Sequence, residues 1–175
     1  MTTVDSLPRR LALVRHGEPD RSAQRLGVGL TAEGRRQALT AAGRLAYSRW
    51  SWIAAMPIDC CVETARTIAV EFPRVPMTEC EGLLGGDFDE EGRTPIGISS
   101  SALESRAAEV VARLLQESSG DGIVVLDERS LGEVITELCT VGPPPLVHGS
   151  VIVLRQTLQG WEILNRAAFG MVAIR

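Results

Sequence analysis

The stretch that most constrains the fold is a short apolar run, Leu11 to Val14, that ends abruptly in Arg15, His16 and Gly17. Four apolar residues bounded by polar and turn residues are typical of a fully buried strand, which we predict over residues 10–15. Arg15 and His16 then lie at the carboxyl end of this strand, where open α/β sheets place their ligand sites. A guanidinium can fork onto phosphate oxygens and an imidazole can act as a nucleophile, so the motif favours a phosphoryl-binding site.

The rest of the chain alternates between short apolar runs and patterns of helical period. Helices are predicted over residues 31–45, 60–72, 101–117 and 130–139. Strands are predicted over residues 10–15, 50–56, 75–78, 123–126, 151–154 and 161–164. This alternation is typical of α/β proteins. We therefore expect a single domain over residues 1–175, a three-layer α/β sandwich with a mostly parallel central sheet flanked by helices on both faces.

Charge and composition exclude several classes of protein. A formal net charge of −4 argues against binding to nucleic acid or to an anionic membrane. No apolar run approaches the roughly 20 residues of a membrane span, and residues 1–8 lack the regions of a signal peptide. We therefore expect a cytoplasmic protein without a cofactor. Four cysteines have a spacing that fits neither a disulfide framework nor a zinc site, so free thiols and no metal are expected: Cys60, Cys61, Cys80 and Cys139.

Two motifs together resemble one known family. The first is Arg15-His-Gly17 at the predicted strand end, and the second is Leu30-Thr-Ala-Glu-Gly-Arg-Arg-Gln-Ala38. This combination is similar to the histidine phosphatase (phosphoglycerate mutase-like) superfamily, and the resemblance spans nearly the whole chain. It implies that His16 attacks a phosphomonoester, that Arg15 and Gly17 bind its phosphoryl group, and that Glu81 protonates the leaving group.

The chain departs from the family at two positions that contact phosphate. Residues 56–65 align with the family segment Ser-Pro-Leu-x-Arg-Ala-x-x-Thr-Ala, in which Cys60 replaces the arginine. Related sequences end the strand over 123–126 in Ser-His-Gly, and here Glu128 occupies the histidine position. Loss of the arginine removes a charge-assisted fork worth ~1.5–3 kcal/mol. Repulsion of phosphate by Glu128 amounts to about 4 kcal/mol at ~4 Å and an effective dielectric near 20.

Each altered position has two interpretations. Glu128 is either a functional carboxylate at the floor of the pocket or a partner of Arg15 that closes it. Cys60 is either a reactive thiol or a small residue on a helix face. In an alternative alignment with the family, His148 is the second catalytic histidine and contacts substrate. We disfavour that alignment because residues 143–145 are prolines and cannot supply the buried strand that should precede the histidine.

The sequence supports two alternative functions. One is an active phosphomonoesterase that forms a phosphohistidine at His16. The other is a degenerate member that has kept the fold and binds a different ligand, catalyses another reaction or contacts a protein partner. We favour the second, because two substitutions at phosphate-contacting positions are hard to reconcile with efficient phosphoryl transfer. The expected partners are a small anionic or phosphorylated ligand, or another protein.

Overall fold

The structure is a computed structural model that describes residues 8–22, 29–84 and 100–164, without the side chains of residues 100–106. These ranges contain six strands: β1 (Arg10–Arg15), β2 (Trp52–Ala55), β3 (Met77–Glu79), β4 (Gly122–Leu126), β5 (Val151–Thr157) and β6 (Gly160–Ile163). They also contain a 3-10 helix, Glu81–Leu84, and four α-helices: α1 (Ala32–Leu45), α2 (Asp59–Glu71), α3 (Ser100–Glu117) and α4 (Glu128–Cys139).

The strands form one mixed sheet in the order β3-β2-β4-β1-β5-β6. The first four are parallel, while β5 is antiparallel to β1 and β6 is antiparallel to β5. With the usual right-handed crossovers, α1 and α2 lie on one face and α3 lies on the other. Helix α1 packs against α2 and α3 packs against α4, which agrees with that arrangement. The predicted α/β sandwich, mostly parallel and flanked by helices, is confirmed.

The central strand β1 is buried on both faces because helices cover the sheet on each side. Leu11, Ala12, Leu13 and Val14 are all inaccessible to solvent, as are the apolar residues of β4 beside them. A continuous apolar run, rather than an alternating one, is typical of a strand in this position. The predicted bounds of β1 are confirmed, and its carboxyl end lies at the centre of one edge of the sheet.

Helix α4 begins two residues earlier than predicted. The side chain of Asp127 accepts a hydrogen bond from the Ser130 amide at 2.7 Å, so the aspartate caps the helix directly after β4. An aspartate at this position stabilises a helix start by about 1 kcal/mol. The early start places Glu128 in the first turn of α4, beside the end of β1.

The loop after β1 is held against the start of α1 by close backbone contact. A Cβ atom on Gly17 would lie 2.3 Å from the carbonyl oxygen of Gly34, and one on Gly34 would lie 2.3 Å from that of Glu18. Thr31 caps α1, accepting a hydrogen bond from the Gly34 amide at 2.9 Å. Its hydroxyl donates to the Glu18 carboxylate at 2.8 Å. Only glycines at these two positions allow the loop to lie so close to the helix.

Two segments have no predicted helix or strand, one between residues 15 and 31 and the other between residues 78 and 101. Residues 23–28 and 85–99 of these segments lie outside the described residues. The second segment begins with the last residue of β3 and the 3-10 helix. Among the described helices, none combines the length and apolar character that crossing a bilayer requires.

Candidate functional site

Arg15 and His16 lie at the carboxyl edge of the sheet, where β1 meets the ends of its two neighbours. The Arg15 amide donates to the Ser150 carbonyl at 3.0 Å, and the His16 amide donates to the Leu126 carbonyl at 3.1 Å. The two side chains are therefore positioned by backbone pairing rather than by a free loop. This is the edge at which open α/β sheets bind ligands.

The guanidinium of Arg15 is engaged by three groups of the same chain. Its Nη2 lies 2.8 Å from a carboxylate oxygen of Glu128 and 3.2 Å from Nε2 of His148. Its Nη1 donates to the Leu146 carbonyl at 2.5 Å. Arg15 is largely buried, with 14% of its side chain exposed, whereas Glu128 is 60% exposed. Glu128 thus forms the ion pair that one of its two interpretations expects, and occupies a position from which a phosphate oxygen could bind.

The imidazole of His16 is buried and has a fixed orientation. Its Nδ1 lies 2.6 Å from the Gly17 carbonyl, which can only accept, so Nδ1 carries a proton and Nε2 bears the lone pair of the neutral ring. The Gly17 amide in turn donates to Thr64 Oγ1 at 3.1 Å. The Thr64 hydroxyl donates to the Cys60 carbonyl at 2.7 Å. Thr64 therefore joins the loop after β1 to the first turn of α2.

Two adjacent thiols face this imidazole. One ligand atom each from His16, Cys60 and Cys61 lies within 4.8 Å of the other two, and all three residues are buried. Cys60 and Cys61 belong to the first turn of α2, whose start follows Pro57 and Ile58. The sequence left Cys60 as either a reactive thiol or a small residue on a helix face. It did not predict that the adjacent cysteines meet His16.

His16, Cys60 and Cys61 shift one another's pKa values. A hydrogen bond from Cys61 lowers the pKa of Cys60, burial opposes it, and the hydrogen bond and charge of His16 bring the value to about 5. Burial acts to lower the pKa of His16, but Cys60 and the Gly17 carbonyl outweigh it and the net shift is upward. Burial and the neighbouring Cys60 raise the pKa of Cys61. The Cys60 thiol is therefore ionised at neutral pH, next to an imidazole whose pKa is raised.

His148 approaches Arg15 and His16 from a turn. Its ring centroid lies 5.6 Å from that of His16, with the planes inclined by 41°. Burial and the charges of Arg15 and His16 lower its pKa, against the opposing carboxylates of Glu18 and Glu128. No strand forms over residues 142–147, and β5 begins only at Val151. His148 thus lies beside His16 although it does not follow a buried strand.

Glu81 is the candidate that the structure does not bring into contact with the others. It is exposed at the start of the 3-10 helix. Within the described ranges, no hydrogen bond or ion pair joins it to Arg15 or His16. Its role as proton donor stays a prediction.

Comparison with known proteins supports the family resemblance. The profile of the histidine phosphatase superfamily (branch 1) matches residues 11–90. No curated protein sequence matches the chain.

Solved structures show the same fold over most of the chain. Bacillus stearothermophilus YhfR is similar with a TM-score of 0.73 and 20% identity, over 90% of this chain and 96% of that one. A mycobacterial glucosyl-3-phosphoglycerate phosphatase gives 0.69 and 16%, over 89% and 97%. A phosphoserine phosphatase from Entamoeba histolytica, solved with 3-phosphoglyceric acid, gives 0.68 and 17%, over 89% and 95%. The predicted resemblance to the histidine phosphatase superfamily is confirmed, in sequence over residues 11–90 and in fold over about nine-tenths of the chain.

Proposed function

We propose that this chain is a histidine phosphatase superfamily protein with an altered active site, without efficient phosphatase activity, whose pocket serves another ligand, reaction or protein partner. The observation that carries the proposal is the 2.8 Å ion pair between Arg15 and Glu128. An incoming phosphate must displace this carboxylate from the guanidinium and then remain beside its negative charge. Both steps oppose binding of a dianion.

The replacement of the second arginine supports the same conclusion. Cys60 occupies the position from which the family's second guanidinium would reach the phosphate, and it lies beside His16 rather than in the solvent. A thiol supplies no positive charge and no bidentate donor pair. Among the described residues, Cys60 thus supplies no cation beside His16, and the guanidinium of Arg15 is already paired with Glu128.

The alternative is an active phosphomonoesterase that uses a phospho-His16 intermediate with Arg15 and Glu81. One observation favours it: the hydrogen bond from His16 Nδ1 to Gly17 directs the lone pair of the neutral ring to Nε2, as a nucleophile requires. His148, 5.6 Å away, would then support the transferring group in place of the family's second histidine.

Hydrolysis of p-nitrophenyl phosphate separates the two functions. We expect the wild-type protein to be no more active than His16→Ala between mildly acidic and neutral pH. We expect the double substitution Cys60→Arg with Glu128→His, which restores the family's residues, to bring turnover that depends on His16. Glu137→His is the matched control, since Glu137 lies exposed on the same helix as Glu128.

Wild-type turnover that His16→Ala abolishes would overturn the proposal and support the phosphomonoesterase. Absence of activity in both wild type and the double variant, with vanadate binding gained only by the variant, would still support an altered anion pocket.

A further inference from the structure

We propose that His16, Cys60 and Cys61 form a binding site for a thiophilic divalent cation of the Zn²⁺ type. The inference rests on the proposed function, because it assigns a ligand class to the pocket that phosphate no longer suits. Two thiols and an imidazole are the donor set that zinc prefers. They come from the end of β1 and the first turn of α2, two elements that the fold holds together.

The spacing of the donors suits a single cation. Their ligand atoms all lie within 4.8 Å of one another. In a tetrahedral zinc site, ligands at about 2.0–2.3 Å from the metal lie roughly 3.5–3.8 Å apart. The most widely spaced pair of donors must therefore approach by up to about 1 Å when a cation binds.

The imidazole already has the hydrogen bond that metal-bound histidines have. Such histidines donate their second ring N–H to a carbonyl or carboxylate, which fixes the tautomer and directs the other nitrogen at the metal. In His16, Nδ1 donates to the Gly17 carbonyl at 2.6 Å and Nε2 carries the lone pair. Thr64 holds this glycine to the Cys60 carbonyl, so one hydrogen-bonded path connects both sides of the site.

Charge balance favours a cation over an anion at this position. Two thiolates and a neutral imidazole bear two negative charges, which a divalent cation cancels within a buried site. The nearest cationic side chain along the strand, Arg15, is already paired with Glu128 at 2.8 Å. The replacement of the family's arginine by Cys60 thus supplies one of the donor thiols and removes a positive charge that would repel a cation. Glu128 in turn neutralises the charge of Arg15.

Three protein ligands leave a fourth position for water or a small ligand. Zinc sites with an open position are those that bind substrates, whereas closed sites with four protein ligands are structural. The pocket lies at the ligand-binding edge of the sheet, next to the exposed carboxylate of Glu128. The proposed metal site is thus one that can bind an external ligand at its fourth position.

Cobalt provides a direct test, because thiolate-bound Co²⁺ has a charge-transfer band and four-coordinate Co²⁺ has intense ligand-field bands. The full chain, reduced and treated with a chelator, is titrated with Co²⁺ and then with Zn²⁺. We expect both kinds of band, saturation at a single equivalent and displacement by Zn²⁺. Cys61→Ala introduces the residue that the family has at this position, and we expect it to halve the charge-transfer intensity and weaken Co²⁺ binding roughly a hundredfold.

Cys139→Ala is the matched control, because Cys139 is a buried free thiol at the far end of α4. It should leave the cobalt spectrum unchanged, and circular dichroism checks that each variant is folded. Absence of the charge-transfer band in the folded wild type would overturn the proposal. A band of undiminished intensity in Cys61→Ala, or loss of the band in Cys139→Ala, would also overturn it.

The same preparations are assayed with p-nitrophenyl phosphate, so that the two proposals can fail separately. Turnover that depends on His16 in the chelator-treated protein overturns the proposed function, while the cobalt spectrum still decides whether the metal site exists. No turnover and no cobalt band would leave the proposed function standing and overturn the metal site alone.

Discussion

Glu128→Gln should increase the affinity of the pocket for inorganic phosphate by about tenfold. The substitution keeps the shape of the side chain but removes the charge that pairs with Arg15 at 2.8 Å. Two unit charges at about 4 Å repel by roughly 1 kcal/mol in bulk water and roughly 4 kcal/mol at an effective dielectric of 20. Because 60% of the Glu128 side chain is exposed, we take a value near the lower limit, about 1–2 kcal/mol.

Phosphate binding is measured by calorimetry or phosphorus NMR on wild type, Glu128→Gln and the control Glu137→Gln. The gain should shrink as ionic strength rises, because screening weakens an exposed charge. An unchanged affinity in Glu128→Gln, or an equal gain in Glu137→Gln, would refute the view that this carboxylate keeps anions from Arg15.

Three further predictions concern Gly34, Thr64 and Cys60. Gly34→Ala should destabilise the protein by about 3 kcal/mol, because its Cβ would meet a backbone carbonyl at 2.3 Å. In contrast, a Cβ atom on Gly43 would have no other atom within 4 Å, so Gly43→Ala should stabilise the protein by about 0.5–1 kcal/mol. Equal changes in the free energy of urea unfolding for the two variants would contradict this prediction. Thr64→Val should cost about 1–3 kcal/mol, because it removes the buried hydroxyl that joins the loop after β1 to α2. Since the pKa of Cys60 is lowered to about 5, its alkylation by iodoacetamide in metal-free protein should decline only below that pH. Cys139, whose pKa burial raises, should react only at alkaline pH, and a pH profile shared by the two cysteines would contradict the lowered pKa of Cys60.

The fold could be predicted from local patterns because its central strands are continuous apolar runs. Leu11 to Val14 is too short for a buried helix and ends in a glycine-containing turn. The apolar pattern therefore predicts both the strand and the position of Arg15 at its carboxyl end. The helix over 128–139 was placed within two residues. Its start was missed because the capping role of Asp127 depends on where β4 ends, which the apolar pattern leaves uncertain by a few residues.

The contacts within the site could not be predicted in the same way. Cys61 fits the buried stripe of α2, so helical periodicity assigns it to the core and gives no sign of a nearby imidazole. His148 follows a proline-rich segment without strand pattern, and its approach to His16 depends on the path of an irregular turn. The alignment did identify Cys60 and Glu128 as the altered positions, but not that each contacts a different member of the Arg15–His16 pair.

The altered side chains act together on the chemistry of the pocket. Each functional group of the Arg-His pair has gained an anionic partner from its own chain: Glu128 for Arg15, and the Cys60 thiolate for His16. An anionic substrate must therefore compete with two internal partners that come from different helices. In the proposed metal site, a cation bound to His16 and the two thiols would displace protons from these donors and leave the Arg15–Glu128 pair intact. The two proposals together thus give Arg15 and His16 roles that do not require phosphate transfer: Arg15 pairs with Glu128 at 2.8 Å, and His16 would supply a metal ligand.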